Sequence, residues 1–280
     1  MIKPDVLYIG YPKAASTFLR RYFATHPGVS SDEQMIAQIL YQRDYSPILQ
    51  PKPSGKVHIS CDESVAESVC VVGSILPWAE NLYHPGEFNK VKFDVIFSSF
   101  EAAKRLKAIF PGAKVLMVIR DQISWFESVY KYIISSLPIT QRNFEDYLYT
   151  PQGLALLEAG YYDATILAYY HEFGKENVCV LRYEDLNTEL FQRQLCGFVG
   201  IEFVPFPPQR VNTGHANLAR LHRTLPFISK LPWELKQLLH PLKPFIPGRK
   251  GSLLTDEQVG WVREKYAASN RLTKSLLGEE

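Results

Sequence analysis

No C-x-x-C pair occurs among the four cysteines, Cys61, Cys70, Cys179 and Cys196. This removes the zinc-ribbon and thioredoxin-type readings, and three of the four sit in apolar or strand-like surroundings where a thiol behaves as a small hydrophobe. A reducing compartment fits best. No apolar run approaches the roughly 20 residues of a membrane-spanning helix. The chain reaches an apolar run within its first residues without a basic leader or a small-residue cleavage site, so the expected setting is cytoplasmic. Charge of one sign is also scarce: 31 Lys+Arg stand against 29 Asp+Glu, a net +2. No global field argues for wrapping nucleic acid, and any anion site must be local. Internal repeats and low-complexity tracts are missing too, which excludes solenoids and disordered scaffolds.

What is present is ordinary globular material, 280 residues of which 46% are hydrophobic, enough to bury a sizeable core in one domain over 1–280. Val6-Leu7-Tyr8-Ile9 reads as a buried parallel strand. Further strands are expected at Val57–Asp62, Asp94–Ser98, Lys114–Arg120 and Val178–Tyr183. Helical periodicity covers 16–25, 100–109, 121–136, 153–173, 185–199 and 255–276. Short apolar strands alternating with longer helices predict an α/β fold: a mainly parallel central sheet of about five strands, helices on both faces. The ligand site of such a sheet lies at the strands' carboxyl ends, where Gly10, Asp62, Arg120 and Tyr183 emerge. Residues 43–56 and 77–92, rich in proline, glycine and polar side chains, read as excursions over that end. Residues 204–251 hold many of the prolines and a cluster of basic residues.

Gly10-Tyr11-Pro12-Lys13-Ala14-Ala15-Ser16-Thr17 joins the first strand to the first helix. A Walker A loop, G-x-x-x-x-G-K-[ST], places its hydroxyl directly after the lysine to hold Mg²⁺. Here Lys13 precedes Ser16 by three residues and no second glycine comes before it. Backbone N–H groups of 13–17 can still converge on a phosphate at the helix N-terminus, with Lys13 as a point charge. The alternative is that Ser16 or Thr17 caps the helix and Lys13 is a solvated turn residue. Arg120 ends the clearest strand, and Ser124 and Ser128 share a face of the helix after it, a fork with hydroxyls suited to a second phosphate. Its alternative is an Arg120–Asp121 surface pair. Pro247-Gly248-Arg249-Lys250-Gly251-Ser252 adds glycine-flanked amides and two cations, which alone would read as a surface turn. Together the three elements describe a nucleotide with phosphates at two positions.

These stretches resemble the sulfotransferase family that uses 3′-phosphoadenosine 5′-phosphosulfate (PAPS), a P-loop NTPase-like fold. "YIGYPKAASTFLRRYFATHPGV" is similar to its 5′-phosphosulfate loop, helix and following His-Pro turn, "AKVLMVIRDQISWFESVYKY" to its 3′-phosphate strand and helix, "GYYDATILAYYHEFGKENVCVLRYEDL" to its helix and the strand ending in R-Y-E-D-L, and "PGRKGS" to its C-terminal basic loop. The motifs run in order along nearly the whole chain and are closer to the glycan and bacterial type. Departures are Ala14-Ala15, where many members carry glycine or Cys-Gly, and weak matching over 35–93.

The resemblance implies that Lys13 contacts the 5′-phosphate and its bridging oxygen, with Ala14, Ala15, Ser16 and Thr17 forming the loop. Arg120 and Ser128 would hold the 3′-phosphate, Tyr183 would line the same nucleotide site, and Arg249, Lys250 and Gly251 would close over it. PAPS is the implied donor, its product is PAP, and no metal is required. Glu33 in "HPGVSSDEQMI" matches the catalytic glutamate of glycan-type members, with Asp32 as its neighbour; Glu63 is the second candidate base. The alternative for Glu33 is a helix N-terminal acid following Ser30 and Ser31 as caps. His58, inside a strand pattern, reads as a structural histidine. Asp185 is expected to cap the helix from 186 and Glu184 to tie loops together.

Residues 35–93 and 204–246 should cover the acceptor, and their aromatics, among them Tyr41, Trp78, Tyr83 and Trp233, suit a ring-bearing small molecule or a sugar. The reading leans to sulfation of a hydroxyl or amine on a small natural product or glycan, as in secondary metabolism. Nucleic acid and a membrane span are not expected, and a homodimer is left open. The alternatives are a P-loop kinase-like nucleotide-dependent transferase and a non-catalytic nucleotide-binding protein.

Overall fold

In the computed structural model of the chain, residues 3–33, 54–61, 99–136, 144–149, 151–207 and 254–279 are described. The order of elements is β1 (Val6–Tyr8), α1 (Ser16–Thr25), β2 (Val29–Glu33), β3 (Val57–Cys61), α2 (Ser99–Ile109), β4 (Lys114–Ile119), α3 (Gln122–Ser136), α4 (Phe144–Leu148), α5 (Pro151–Ala159), α6 (Tyr162–Phe173), β5 (Val178–Arg182), α7 (Glu189–Val199) and α8 (Asp256–Leu277). Among the described residues five strands form one sheet in the order β2-β3-β1-β4-β5, and every pairing is parallel.

Central position explains composition. β1 and β4 have a strand on each side and helices above and below, and residues 6–9 and 115–119 are all buried and apolar. From β1 the chain moves to one edge, whereas β3→β4 and β4→β5 run the other way. Right-handed crossovers therefore place α1 on one face and α2 and α3 on the opposite one. α7 joins α1, since the Tyr22 hydroxyl lies 3.4 Å from Cys196 Sγ and donates to the Val204 carbonyl at 2.9 Å. Across the sheet, Ser99 on α2 meets Thr165 on α6 at 3.0 Å.

Several expectations change. Val29–Glu33 is a strand, so Ser30 and Ser31 cap no helix. Pairing with β3, from Val29↔Val57 to Glu33↔Cys61, gives this polar VSSDE segment its extended form. The strand expected at Asp94–Ser98 lies outside the described residues. The helix expected over 153–173 is two, α5 and α6, broken at Gly160 and Tyr161. A Cβ at Gly160 would come within 2.7 Å of the Tyr266 ring, so α8 packs directly against that backbone. Thr188, not Asp185, caps α7 by accepting the Phe191 N–H at 3.1 Å; Asp185 instead closes a short 3₁₀ turn, Tyr183–Asp185. α8 starts with a full capping box, Thr255 and Gln258. Cys179 and Cys196 are free, and burial pushes the Cys179 thiol up to about 12, which fits its apolar reading.

Gly10 is required by a close approach rather than by its torsions. A Cβ there would lie 2.6 Å from Tyr8 Oη and 2.7 Å from its ring, and Tyr8 is fully buried against Phe23. Gly10→Ala is expected to cost about 1–3 kcal/mol through overpacking. A denaturant midpoint unchanged from wild type would show that the ring yields freely.

Candidate active site

The sheet order reverses between β1 and β4, so the crevice of this fold opens at their carboxyl ends. The loop after β1 is fastened there at each residue. Tyr11 is buried, donates to Thr165 Oγ1 at 3.1 Å and packs edge-on against Trp125 and Tyr162. Trp125 Nε1 donates to the Pro12 carbonyl at 2.8 Å. Arg120 Nη1 donates to the Lys13 carbonyl at 2.8 Å, and the Ala14 N–H returns to the Tyr11 carbonyl at 3.1 Å.

Lys13 and Ala15 adopt left-handed torsions, φ 63° and 65°. For residues with a Cβ this costs about 1–2 kcal/mol each, so the loop is held rather than relaxed. Left-handed residues interleaved with ordinary ones turn successive N–H groups to one side, the geometry of an anion nest. Ala15 occupies the N-cap of α1 and offers no side-chain cap. The expected alternative, Ser16 or Thr17 as caps, is thereby overturned. Capless, the first turn of α1 keeps its N–H groups and the positive end of its dipole for a ligand.

Arg120 is the hub of the second half. Its Nε donates to Ser124 Oγ at 3.0 Å, and its guanidinium lies 4.4 Å from the Tyr183 ring centroid. Ser128 lies one turn further along α3, and the hydroxyl that meets Arg120 is Ser124. No Arg120–Asp121 pair forms; the Asp121 carboxylate instead accepts the Ser124 N–H at 3.0 Å. Glu184 accepts the Asp121 N–H at 2.9 Å and so ties the ends of β4 and β5, as the sequence suggested. Arg182 grips the Glu279 carboxylate beyond α8, and that hydrogen bonding holds the Glu279 carboxyl below its usual range. Beneath the loop, burial raises the Tyr162 phenol well above its usual value, with the Tyr11 phenol adding to the rise, so it remains a neutral wall.

Of the residues singled out in the sequence, Lys13, Ala14, Ala15, Ser16, Thr17, Arg120 and Tyr183 are brought to one crevice, and Ser128 stands on the adjoining helix. Glu33 ends the edge strand β2, two strands from β1, roughly 10 Å at normal strand spacing. Glu63, Arg249, Lys250 and Gly251 lie outside the described residues. Tyr11 and Trp125 were missed as site builders. A buried tryptophan demands a partner for its N–H, but nothing in the chain's pattern names Pro12.

The sulfotransferase family profile matches residues 4–205, and the chain belongs to that family. A sulfotransferase from Alicyclobacillus acidocaldarius superposes with a TM-score of 0.53 at 16% identity, over 86% of this chain and 97% of that one. The sulfotransferase domain from the curacin biosynthetic pathway aligns over 100% of this chain and 99% of its own at 18% identity and a TM-score of 0.45. Mouse sulfotransferase SULT7A1 complexed with PAP aligns over 98% of this chain and 90% of its own at 14% identity and a TM-score of 0.42. The fold is thus the P-loop-like fold of sulfotransferases. No curated protein matches the chain significantly. Among the described residues no helix is long and apolar enough to cross a membrane.

Proposed function

We propose that the protein transfers a sulfuryl group from PAPS to a hydroxyl or amine of a small molecule or glycan. The observation that carries this reading is the Arg120–Lys13 bond, which joins a loop suited to one phosphate to an arginine suited to another across a single crevice. The residues fit such a donor: uncapped N–H groups at the start of α1, a left-handed backbone cradle, and a guanidinium already oriented by Ser124 and Tyr183.

When bound, PAPS supplies an activated sulfuryl group on a bisphosphate leaving group. The first-turn N–H groups of α1, with Ser16 and Thr17, hold the 5′-phosphate end. Lys13 would supply the ammonium that offsets charge on the leaving group, the role a metal plays in kinases. Arg120 and Ser128 would hold the 3′-phosphate, with Arg249, Lys250 and Gly251, which lie outside the described residues, as the further groups for that task. Glu33 takes the acceptor's proton, with Glu63 as the other carboxylate for that task. The whole of 1–280 serves as one sulfotransferase domain of a cytoplasmic protein, its acceptor covered by 35–93 and 204–246.

Thermal shift tests the donor. Adenosine 3′,5′-bisphosphate at a hundred times its Kd is expected to add about 2.7 kcal/mol of stability, and ATP with Mg²⁺ none. Stabilisation by ATP–Mg²⁺ alone sinks the reading and favours a kinase-like enzyme. Labelled PAPS offered with panels of phenols, amines and sugars then identifies the acceptor.

A further inference from the structure

Strand β2 is short and polar, and among the described residues it is paired on one side only. Val29 is its single buried apolar residue, so hydrophobic packing does little to fix its register. Side chains do that work. His58 on β3 is 3% exposed, and its two ring nitrogens reach two residues of β2: Nδ1 lies 2.9 Å from Ser30 Oγ and Nε2 lies 2.7 Å from Asp32 Oδ2. Ser60, also buried, donates to Asp32 Oδ1 at 2.7 Å. The backbone of His58 is clamped by the residue before β1, with its N–H donating to Asp5 Oδ2 at 2.8 Å and its carbonyl accepting the Asp5 N–H at 2.9 Å.

Pairing Ser30↔His58 and Asp32↔Ser60 sets these four side chains on one face. Both oxygens of Asp32 are engaged by donors, which anchors its carboxylate between β2 and β3. The next residue, Glu33, closes the strand opposite Cys61. Without the imidazole, the terminal half of β2 would keep its backbone bonds to β3 and the Ser60–Asp32 bond, and would lose the grip on Ser30 and one oxygen of Asp32.

We propose that His58 is a positioning residue for the proton-accepting centre: by gripping Ser30 and Asp32 it fixes the carboxyl end of β2 and hence Glu33. The inference rests on the sulfuryl-transfer reading and adds to it a residue that touches neither substrate. A displacement of about 1 Å at a reacting group lowers rate about 10²-fold, so loosening this strand should be visible in turnover.

His58→Leu is expected to accelerate hydrogen exchange of the β2 amides about tenfold or more, with the amides of β1 and β4 unchanged. Turnover of labelled PAPS with the acceptor panel should fall about 10–100-fold, while donor KM and the Kd of adenosine 3′,5′-bisphosphate stay within about twofold. His58→Gln, which keeps an N–H for Asp32, should recover most of both effects. If the leucine variant does not fold, Asp32→Asn, equal in shape and without the charge, should show the same pattern at smaller amplitude. Unchanged β2 exchange overturns the proposal, and so does faster β2 exchange with intact turnover. Parallel loss of bisphosphate affinity and of protection across the whole sheet also overturns it, by making the role one of general stability. A wild-type protein that neither binds the bisphosphate nor transfers label defeats the sulfuryl-transfer reading itself and the catalytic half of this proposal, while the exchange comparison still decides whether His58 holds β2.

Discussion

Glu33→Gln is expected to lower turnover about 10²–10⁴-fold while leaving the affinity for adenosine 3′,5′-bisphosphate within about twofold. The carboxamide has the shape of the carboxylate but cannot accept a proton, so the substitution isolates the chemical step. Glu33 terminates β2 at the sheet's edge, separated by β3 from the β1 loop and by two strands from β4, so the donor site should not register the change. Wild-type turnover should decline in acid as the base is protonated, and the residual rate of the variant should be flat over the same range. Initial rates with labelled PAPS and calorimetric titration of the bisphosphate separate the two quantities. Turnover equal to wild type removes Glu33 from the mechanism and moves the role to Glu63.

Arg120→Ala is expected to weaken binding of adenosine 3′,5′-bisphosphate about 10²–10³-fold, or roughly 3–4 kcal/mol, from the loss of a charged fork with two hydrogen bonds. Binding of adenosine 5′-phosphate, which lacks the 3′ group, should change far less. That contrast matters because the same side chain supports the Lys13 carbonyl, meets Ser124 and stacks on Tyr183. If Arg120 acted only by shaping the loop, both nucleotides would lose affinity equally, and its assignment to the 3′-phosphate would fail. Arg120→Lys keeps the charge but not the planar fork or the stacking, so it should recover only part of the affinity.

Which parts were legible in advance follows from where each residue sits. β1 and β4 are central strands buried on both faces, and such strands appear as unbroken apolar runs. α1, read over 16–25, has those bounds in the structure, because its buried Leu19, Tyr22 and Phe23 follow helical spacing. β2 escaped notice for the opposite reason. An edge strand of sequence VSSDE has neither alternation nor an apolar run, and local rules favoured a capped helix. The break at Gly160 was hidden because it depends on Tyr266, over a hundred positions away. Asp185 lost the cap to Thr188 because the turn after β5 tightened into a 3₁₀ segment before α7 began.

Alone, the sequence determined the α/β class, the strand-to-helix turn at GYPKAAST and the presence of an arginine at the end of the strongest strand. It could do so because strand burial, helix periodicity and ionisable side chains are local properties of the chain. Only the tertiary structure decided that the lysine loop and Arg120 flank one crevice, that Ser124 is the hydroxyl meeting the guanidinium, and that His58 grips Ser30 and Asp32. The Arg120–Lys13 and His58 contacts join residues from 26 to 107 positions apart, and they depend on the order in which parallel strands lie side by side, which crossover connections set and which no local pattern of residues records.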